Sequence, residues 1–132
     1  MVEPLRIAHI NHVALPTKRL QESIRFYQNV LGCKLISRPG FSFAGAWLYV
    51  GGIQIHLIED HHAPDPAGDV NTRGVHVAFS VDDIEEVQKN LVERGIPFAR
   101  RLIEDRGIHQ IYIRDPDGHT IEIGSKYWKI DE

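Results

Sequence analysis

The pattern of apolar and polar residues predicts four β-strands in the first half of the chain. These strands are residues 7–15, 34–38, 46–50 and 53–58. Between the first two, apolar residues recur at helical spacing and predict one helix, with Thr17 as its cap and Gly32 as its end. The paired glycines 51–52 predict a tight hairpin between the last two strands.

The same order returns in the second half of the chain. Strands are predicted at residues 74–81, 97–103, 108–114 and 119–124. A helix capped by Asp82 or Asp83 runs up to Gly95, and the letters "DPDG" at 115–118 predict a turn between the last two strands.

Two βαβββ modules therefore make up a single α+β domain over residues 1–132. Module 1 covers about residues 7–59 and module 2 about 74–124, with a tail at 125–132. Residues 60–73 hold two prolines and several turn formers, and we interpret them as the linker. In the tail, Tyr127 and Trp128 are expected to cover a core edge or to contact a partner subunit.

The two halves agree in letters as well as in pattern. The stretch "NHVALPTKRL" (11–20) aligns with "VHVAFSVDDI" (75–84) and pairs His12 with His76. The stretch "GIQIHL" (52–57) aligns with "GHTIEI" (118–123) and pairs His56 with Glu122. Because these aligned residues are the polar letters inside apolar strands, a duplicated module explains them better than coincidence does.

Composition narrows the class of protein. The 132 residues are 42% hydrophobic and 25% charged, which is ordinary for a soluble globular protein. A net charge of −3 without any basic run argues against a nucleic-acid partner. No membrane-length apolar stretch or secretory signal appears, and the single Cys33 excludes a disulfide framework. We expect a cytoplasmic protein without a membrane partner.

Four polar residues lie on strand faces opposite the apolar ones: His12, His56, His76 and Glu122. A lone strand histidine is usually a surface residue, but four residues at repeat-equivalent positions favour a shared site. Three imidazoles and a carboxylate suit a divalent cation such as zinc, nickel, manganese, iron or cobalt, which would also relieve the cost of burying the glutamate. The remaining histidines are expected to be solvated, including His61, His62, His109 and His119.

The βαβββ repeat, the openings "NHVAL" and "HVAFSVDD" and the ending "YIRDPDGHTIEI" resemble the vicinal oxygen chelate superfamily over about residues 7–124. This superfamily includes glyoxalase I, methylmalonyl-CoA epimerase, fosfomycin-resistance thiol transferases, extradiol dioxygenases and bleomycin-resistance proteins. The resemblance implies two paired modules forming an incomplete barrel around a metal held by His12, His56, His76 and Glu122. Whether the modules pair within one chain or across a homodimer stays open, and a homodimer is expected.

The resemblance also implies a reaction class. We expect a metal-dependent lyase or isomerase of the glyoxalase–epimerase kind, in which the metal chelates neighbouring oxygens of a small substrate and stabilises an enediolate. Glu122 is the expected catalytic base and His56 the second candidate. Glyoxalase I enzymes carry a glutamate and epimerases a glutamine or similar residue where this chain has His56. That residue is therefore either a ligand or a proton carrier.

Other branches of the superfamily remain as alternatives. A thiol transferase of the fosfomycin type would use His12, His76 and Glu122, with Tyr112 contacting substrate, although such enzymes carry a threonine in place of Ala14. A His-His-Glu set with open coordination positions also suits an iron dioxygenase. A metal-free binding module of the bleomycin-resistance kind is the alternative outside enzymes.

Overall fold

The strand and helix order of each module is the same. The computed structural model describes residues 1–126, and its first module contains β1 (His12–Thr17), α1 (Leu20–Asn29), β2 (Lys34–Ile36), β3 (Gly45–Val50) and β4 (Ile53–Glu59). The second contains β5 (His76–Val81), α2 (Ile84–Arg94), β6 (Ala99–Ile103), a 3-10 turn (Glu104–Arg106), β7 (Ile108–Arg114) and β8 (Thr120–Ser125). The predicted βαβββ order is therefore present twice.

Each module folds into one four-stranded sheet. The strand orders are β1-β4-β3-β2 and β5-β8-β7-β6, so the first and last strands of each module are parallel neighbours. The other pairings are antiparallel. The predicted linker at 60–73 contains neither helix nor strand. Neither helix of the described part is long and apolar enough to span a bilayer.

The beginning of the first module differs from the sequence prediction. β1 starts at His12 rather than at residue 7, and it continues through Pro16 to Thr17. A proline fits here because β1 lies at the edge of its sheet, where one side of the backbone needs no strand partner. Residues 1–11 precede the strand and are exposed.

The predicted N-cap is correct for α2 and wrong for α1. Asp83 caps α2 by accepting a hydrogen bond from the Glu86 backbone N–H at 3.1 Å, and Gly95 ends it with φ of 68°. By contrast, the N-cap position of α1 is Arg19, which makes no side-chain cap. Thr17 is instead the buried last residue of β1, and its hydroxyl bonds to Ser23 and to the distant Asp117.

One apolar core joins the two modules. Its buried members come from both sheets and both helices, and the largest include Tyr27, Leu48, Ile55 and Leu57 from module 1 and Leu91, Ile111, Ile113 and Ile121 from module 2. Because side chains alternate along a strand, the opposite face of each sheet points away from this core. The two sheets therefore present their polar faces outward.

The "DPDG" turn fastens module 2 to module 1. The Gly118 backbone N–H donates to the Asp115 carbonyl at 2.9 Å and closes the turn, as predicted. From this turn, the Asp115 carboxylate accepts a hydrogen bond from the Tyr27 hydroxyl at 2.7 Å. The fully buried Asp117 also accepts a hydrogen bond from the Thr17 hydroxyl. These bonds set the orientation of one module against the other. The predicted roles of Tyr127 and Trp128 lie outside the described residues.

Candidate metal centre

The four predicted ligands lie on the outward faces of the two sheets. His12 and His56 come from the parallel neighbours β1 and β4, and His76 and Glu122 from the parallel neighbours β5 and β8. The flanking residues Ile55, Leu57, Ile121 and Ile123 alternate with them and lie in the core. Strand alternation and strand pairing thus position two ligands on each sheet.

On the first sheet, the imidazoles of His12 and His56 are stacked. Their ring centroids are 3.9 Å apart and the rings are 13° from parallel. Trp47, which pairs with His56 across β3 and β4, stacks on the other side at 4.2 Å. The His56 ring therefore lies between two aromatic planes and is only 9% exposed.

On the second sheet, the His76 ring contacts the Glu122 carboxylate. The distance from His76 Nε2 to Glu122 Oε1 is 3.3 Å, and Glu122 is only 5% exposed. Tyr112 lies directly opposite Glu122 in the register of β7 and β8. Burial, together with a hydrogen bond to that carboxylate, raises the pKa of Tyr112. The Gln110 side-chain amide also donates to Glu122 at 3.4 Å.

These two pairs remain apart within one chain. Among residues 1–126, the sole group of three or more candidate ligands with donor atoms within 4.8 Å of one another is Asp60, His61 and His62. This group lies in the linker, where both histidines are exposed, as predicted, and 44% of the Asp60 side chain is exposed. One chain thus holds two half-sites on its outward sheet faces: His12 with His56, and His76 with Glu122.

One ring nitrogen of each of the three histidines lies within hydrogen-bond distance of an oxygen atom. In every case one nitrogen faces an oxygen that can only accept, so that nitrogen must donate its N–H. The bonds join His12 Nδ1 to Asn11 Oδ1 (2.7 Å), His56 Nε2 to Gln54 Oε1 (2.8 Å) and His76 Nδ1 to the Gly74 carbonyl (2.8 Å). In a neutral ring the second nitrogen then carries a lone pair, which is the form that binds a metal.

The electrostatics of both half-sites fit a cation. Burial, and then the nearby positive charges of His12 and Arg38, lower the pKa of His56, so its neutral form is favoured. At the second half-site, the Glu122 carboxylate lies 3.3 Å from His76 Nε2 and supplies a negative charge. The donor set of three nitrogens and one carboxylate suits a divalent metal.

Two histidines that were expected in solvent are not solvated. His109 is 5% exposed because it shares the core face of β7 with Ile111 and Ile113, and its Nδ1 lies 3.4 Å from Glu85. His119 is half-buried, and its Nε2 donates to the Pro16 carbonyl at 2.7 Å. Reading the period of β7 from Ile111 and Ile113 would have placed His109 inside.

Sequence reasoning also missed the residues that orient the ligands. Gln54 lies two positions before His56 on the same strand face, a spacing that could have indicated its contact. Asn11 is adjacent to His12, but nothing in its sequence position indicated that it would bond to that ring. The stacking of Trp47 on His56 depends on the register of β3 and β4, which local sequence does not determine.

One cavity of the described chain contacts only a part of the candidate site. It has a volume of about 980 Å³ and lies between the modules, among apolar residues such as Val13, Val50, Phe79 and Val87. Of the four predicted ligands it touches only His76. This cavity therefore does not bring the four candidate ligands together.

Comparison with known proteins identifies the class to which this arrangement belongs. Residues 9–123 match the Glyoxalase/Bleomycin resistance protein/Dioxygenase superfamily. The chain belongs to this superfamily, as its repeat and its terminal motif predicted. The two open four-stranded sheets and two helices are the fold shared by its relatives of known structure.

Particular relatives extend over most of the chain. Glyoxylase I 4 of Arabidopsis thaliana is 40% identical over 91% of this chain and 72% of that protein. Metallothiol transferase FosB of Lysinibacillus sphaericus is 29% identical over 89% of this chain and 82% of that protein. The crystal structure of the glyoxalase family protein from Enterococcus faecalis superposes with a TM-score of 0.71 at 26% identity, covering 88% of this chain and 96% of that one.

Proposed function

We propose that this protein is a metal-dependent lyase or isomerase of the glyoxalase kind, acting as a homodimer on a small metabolite with two neighbouring oxygens. The metal is held by His12 and His56 of one chain and by His76 and Glu122 of a second copy. The observation that carries this proposal is the pair of outward-facing half-sites, each with ring nitrogens free to coordinate.

A second copy is needed because the half-sites do not meet within one chain. Both outward faces point away from the shared core, and no three of the four ligands lie within 4.8 Å of one another. Since the modules are repeats, module 1 of one chain can face module 2 of another around a twofold axis. Such a dimer contains two equivalent sites. Each carries three imidazoles and one carboxylate.

The side chains around the half-sites have separate proposed roles. A divalent metal bound there would supply Lewis acidity toward the two substrate oxygens. Glu122 is the proposed base that removes a proton from the carbon beside those oxygens, because its carboxylate is nearly buried beside His76 in the second half-site. Gln54 holds the ring orientation of His56, which is the second candidate for moving a proton.

Complementation between two inactive variants tests the shared site. We would prepare His56→Ala and Glu122→Gln chains separately, mix them, and measure bound zinc or manganese in the mixed dimer. Each homodimer is expected to have two defective sites and to retain little metal. The mixed dimer is expected to recover one intact site per dimer, because one site then collects both defects.

A site formed within one chain predicts the opposite result. Every site of the mixture would then carry one defect, and metal content would stay as low as in the parent variants. Wild-type protein that retains no divalent metal, and is not stabilised by adding one, would overturn the metal-dependent proposal in favour of a metal-free binding protein. The variant His9→Ala is the matched control, since it removes an exposed histidine that belongs neither to the half-sites nor to the Asp60–His61–His62 group.

A thiol transferase is the second candidate function. It is favoured by Tyr112, which is buried and bonded to Glu122, and by the similarity to a metallothiol transferase. Ala14, which pairs with His56 across β1 and β4, stands against it because the fosfomycin enzymes carry a threonine there. Metal-loaded protein that adds glutathione or bacillithiol to fosfomycin would favour this function over the first.

A further inference from the structure

A cation and three aromatic rings line the outward face of module 1 beside His56. We name the group Arg38, Phe41, Phe43 and Trp47 the aromatic wall. The phenyl rings of Phe41 and Phe43 are stacked with centroids 5.2 Å apart, and Phe41 lies 6.1 Å from Trp47. The Arg38 guanidinium carbon lies 4.8 Å from the centroid of Phe41 and 5.0 Å from that of Phe43.

The aromatic wall is continuous with the first half-site. Trp47 stacks on His56 at 4.2 Å with an angle of 5° between the rings. Ring contacts therefore run from the candidate ligand His56 through the indole to the two phenyl rings, and the Arg38 guanidinium lies over those phenyl rings. A molecule that reaches the half-site with one end can lie along the rings with its body.

Arg38 has capacity for an anion. Its Nη2 donates to the Phe43 carbonyl at 2.9 Å, and no carboxylate of residues 1–126 is paired with it. A guanidinium carries five N–H donors in a plane that matches a carboxylate or phosphate. By contrast, Arg19 uses its donors on Asp65 and Asp117.

The two exposed phenyl rings form an apolar surface on which a ligand can bind. Phe41 and Phe43 are each 45% exposed, which is unusual for two adjacent phenyl groups on a surface. A planar apolar group can pack against the phenyl rings, and a negatively charged group can pair with the guanidinium beside them. Both features in one small molecule match the wall better than an uncharged apolar protein surface does.

We infer that the substrate has three parts: two neighbouring oxygens at one end, a planar apolar body, and an anionic group on that body. The aromatic wall binds the body through Phe41, Phe43 and Trp47 and the anion through Arg38. This inference rests on the proposed function, because it places the neighbouring oxygens at the half-site of His56. It makes Arg38 and Phe43 specificity-determining residues.

Three α-hydroxy acids test the contributions of the three substrate parts one at a time. The probe 4-carboxymandelate has the neighbouring oxygens, the ring and the distal anion. The probe 4-carbamoylmandelate replaces that anion by a neutral amide of similar shape, and lactate lacks the ring. Titration calorimetry on manganese-loaded and on metal-free wild-type protein is expected to show that the carboxylate binds about tenfold more tightly than the amide. Lactate is expected to bind most weakly.

Variants of the wall assign each preference to a residue. Arg38→Gln is expected to remove the preference for the carboxylate while binding of the amide stays close to that of the wild type. Arg38→Lys keeps the charge and should retain part of the preference. Phe43→Leu should weaken both ring-containing probes and leave lactate unchanged. Arg25→Gln, which removes an exposed charge from α1, is the matched control and should change nothing.

Equal affinities of the carboxylate and the amide would overturn the inference, even with metal bound and the proposed function intact. A preference that survives Arg38→Gln would do the same. Conversely, if the protein binds no metal but Arg38 still determines which probe it prefers, the proposed function is wrong and the inference about the aromatic wall holds. If Phe43→Leu weakens the dimer without affecting any probe, the rings belong to an interface between copies.

Discussion

Each candidate histidine ligand is oriented by a hydrogen bond to a residue next to it or two positions away. His12 bonds to Asn11, His56 to Gln54 and His76 to the Gly74 carbonyl. The strand period alone predicted that these imidazoles would share the outward faces. It did not predict which nitrogen of each ring would be free, because that depends on the side-chain rotamers and on the acceptors they reach.

The lone cysteine is expected to be unreactive. Cys33 is 5% exposed, and burial raises the pKa of its thiol to about 11. Because the thiolate is the reactive form, modification by a disulfide reagent near neutral pH should be at least about a hundredfold slower than that of free cysteine. The rate of absorbance change with such a reagent measures this. Unfolding in denaturant should restore a normal rate, and fast reaction of the native protein would contradict the burial.

Local sequence signals determine where α2 begins and ends, but they do not determine where α1 begins. Asp83 and Gly95 bound α2 as predicted, because an aspartate cap and a left-handed glycine act through neighbouring backbone groups only. Thr17 has an equally suitable side chain, yet its hydroxyl bonds to Asp117, a residue one hundred positions away. A long-range partner thus overrode a local preference at the first helix.

Removing the α2 cap is expected to destabilise the protein modestly. In Asp83→Ala, the Glu86 N–H loses its acceptor, which should lower the free energy of unfolding by about 1 kcal/mol. Urea titration followed by circular dichroism measures this change. Asp82→Ala is the neighbouring control: it removes only an exposed ion pair with Lys126 and should cost about 0.5 kcal/mol or less. Equal losses in both variants would refute the cap.

The relation between the two modules depends on a few buried polar contacts beside the shared core. Asp117 is fully buried and bonds to Thr17, to Ser23 at 3.1 Å, to the Lys18 N–H at 3.1 Å and to Arg19 at 3.2 Å. Gly118 next to it has φ of +93°, and a Cβ there would meet Pro66 of the linker at 2.8 Å. The "DPDG" letters predicted a turn, but not that this turn joins the modules.

Asp117→Asn is expected to destabilise the fold by about 2 kcal/mol, because it removes a buried charge that several donors satisfy. Chemical denaturation measures the loss. Asp65→Asn is the matched control: Asp65 accepts bonds from Lys18 and Arg19 at the exposed surface, so the change should cost about 1 kcal/mol or less. A loss in Asp117→Asn no larger than in Asp65→Asn would contradict the role assigned to the turn.

The pH dependence of unfolding provides a second test of the role of Asp117. Burial acts to raise the pKa of Asp117, but hydrogen bonds from Thr17, Lys18 and the other donors outweigh it and hold that pKa below its ordinary value of 3.8. The carboxylate therefore stabilises the fold fully above pH 3.8 and loses this effect as pH falls through its lower folded-state pKa. The Asn variant should lack this part of the acid-induced loss.

The amino-acid sequence by itself determined the two βαβββ modules, their linker, the superfamily and the outward placement of the four polar residues. These depend on strand and helix periods and on turn residues, which act over a few neighbours. Tertiary structure alone decided that both modules share one core, that the four polar residues form two separate pairs, and that the "DPDG" turn bonds to Thr17 and Tyr27. Such contacts join residues far apart in the chain, so they follow from packing and register, which no local pattern encodes.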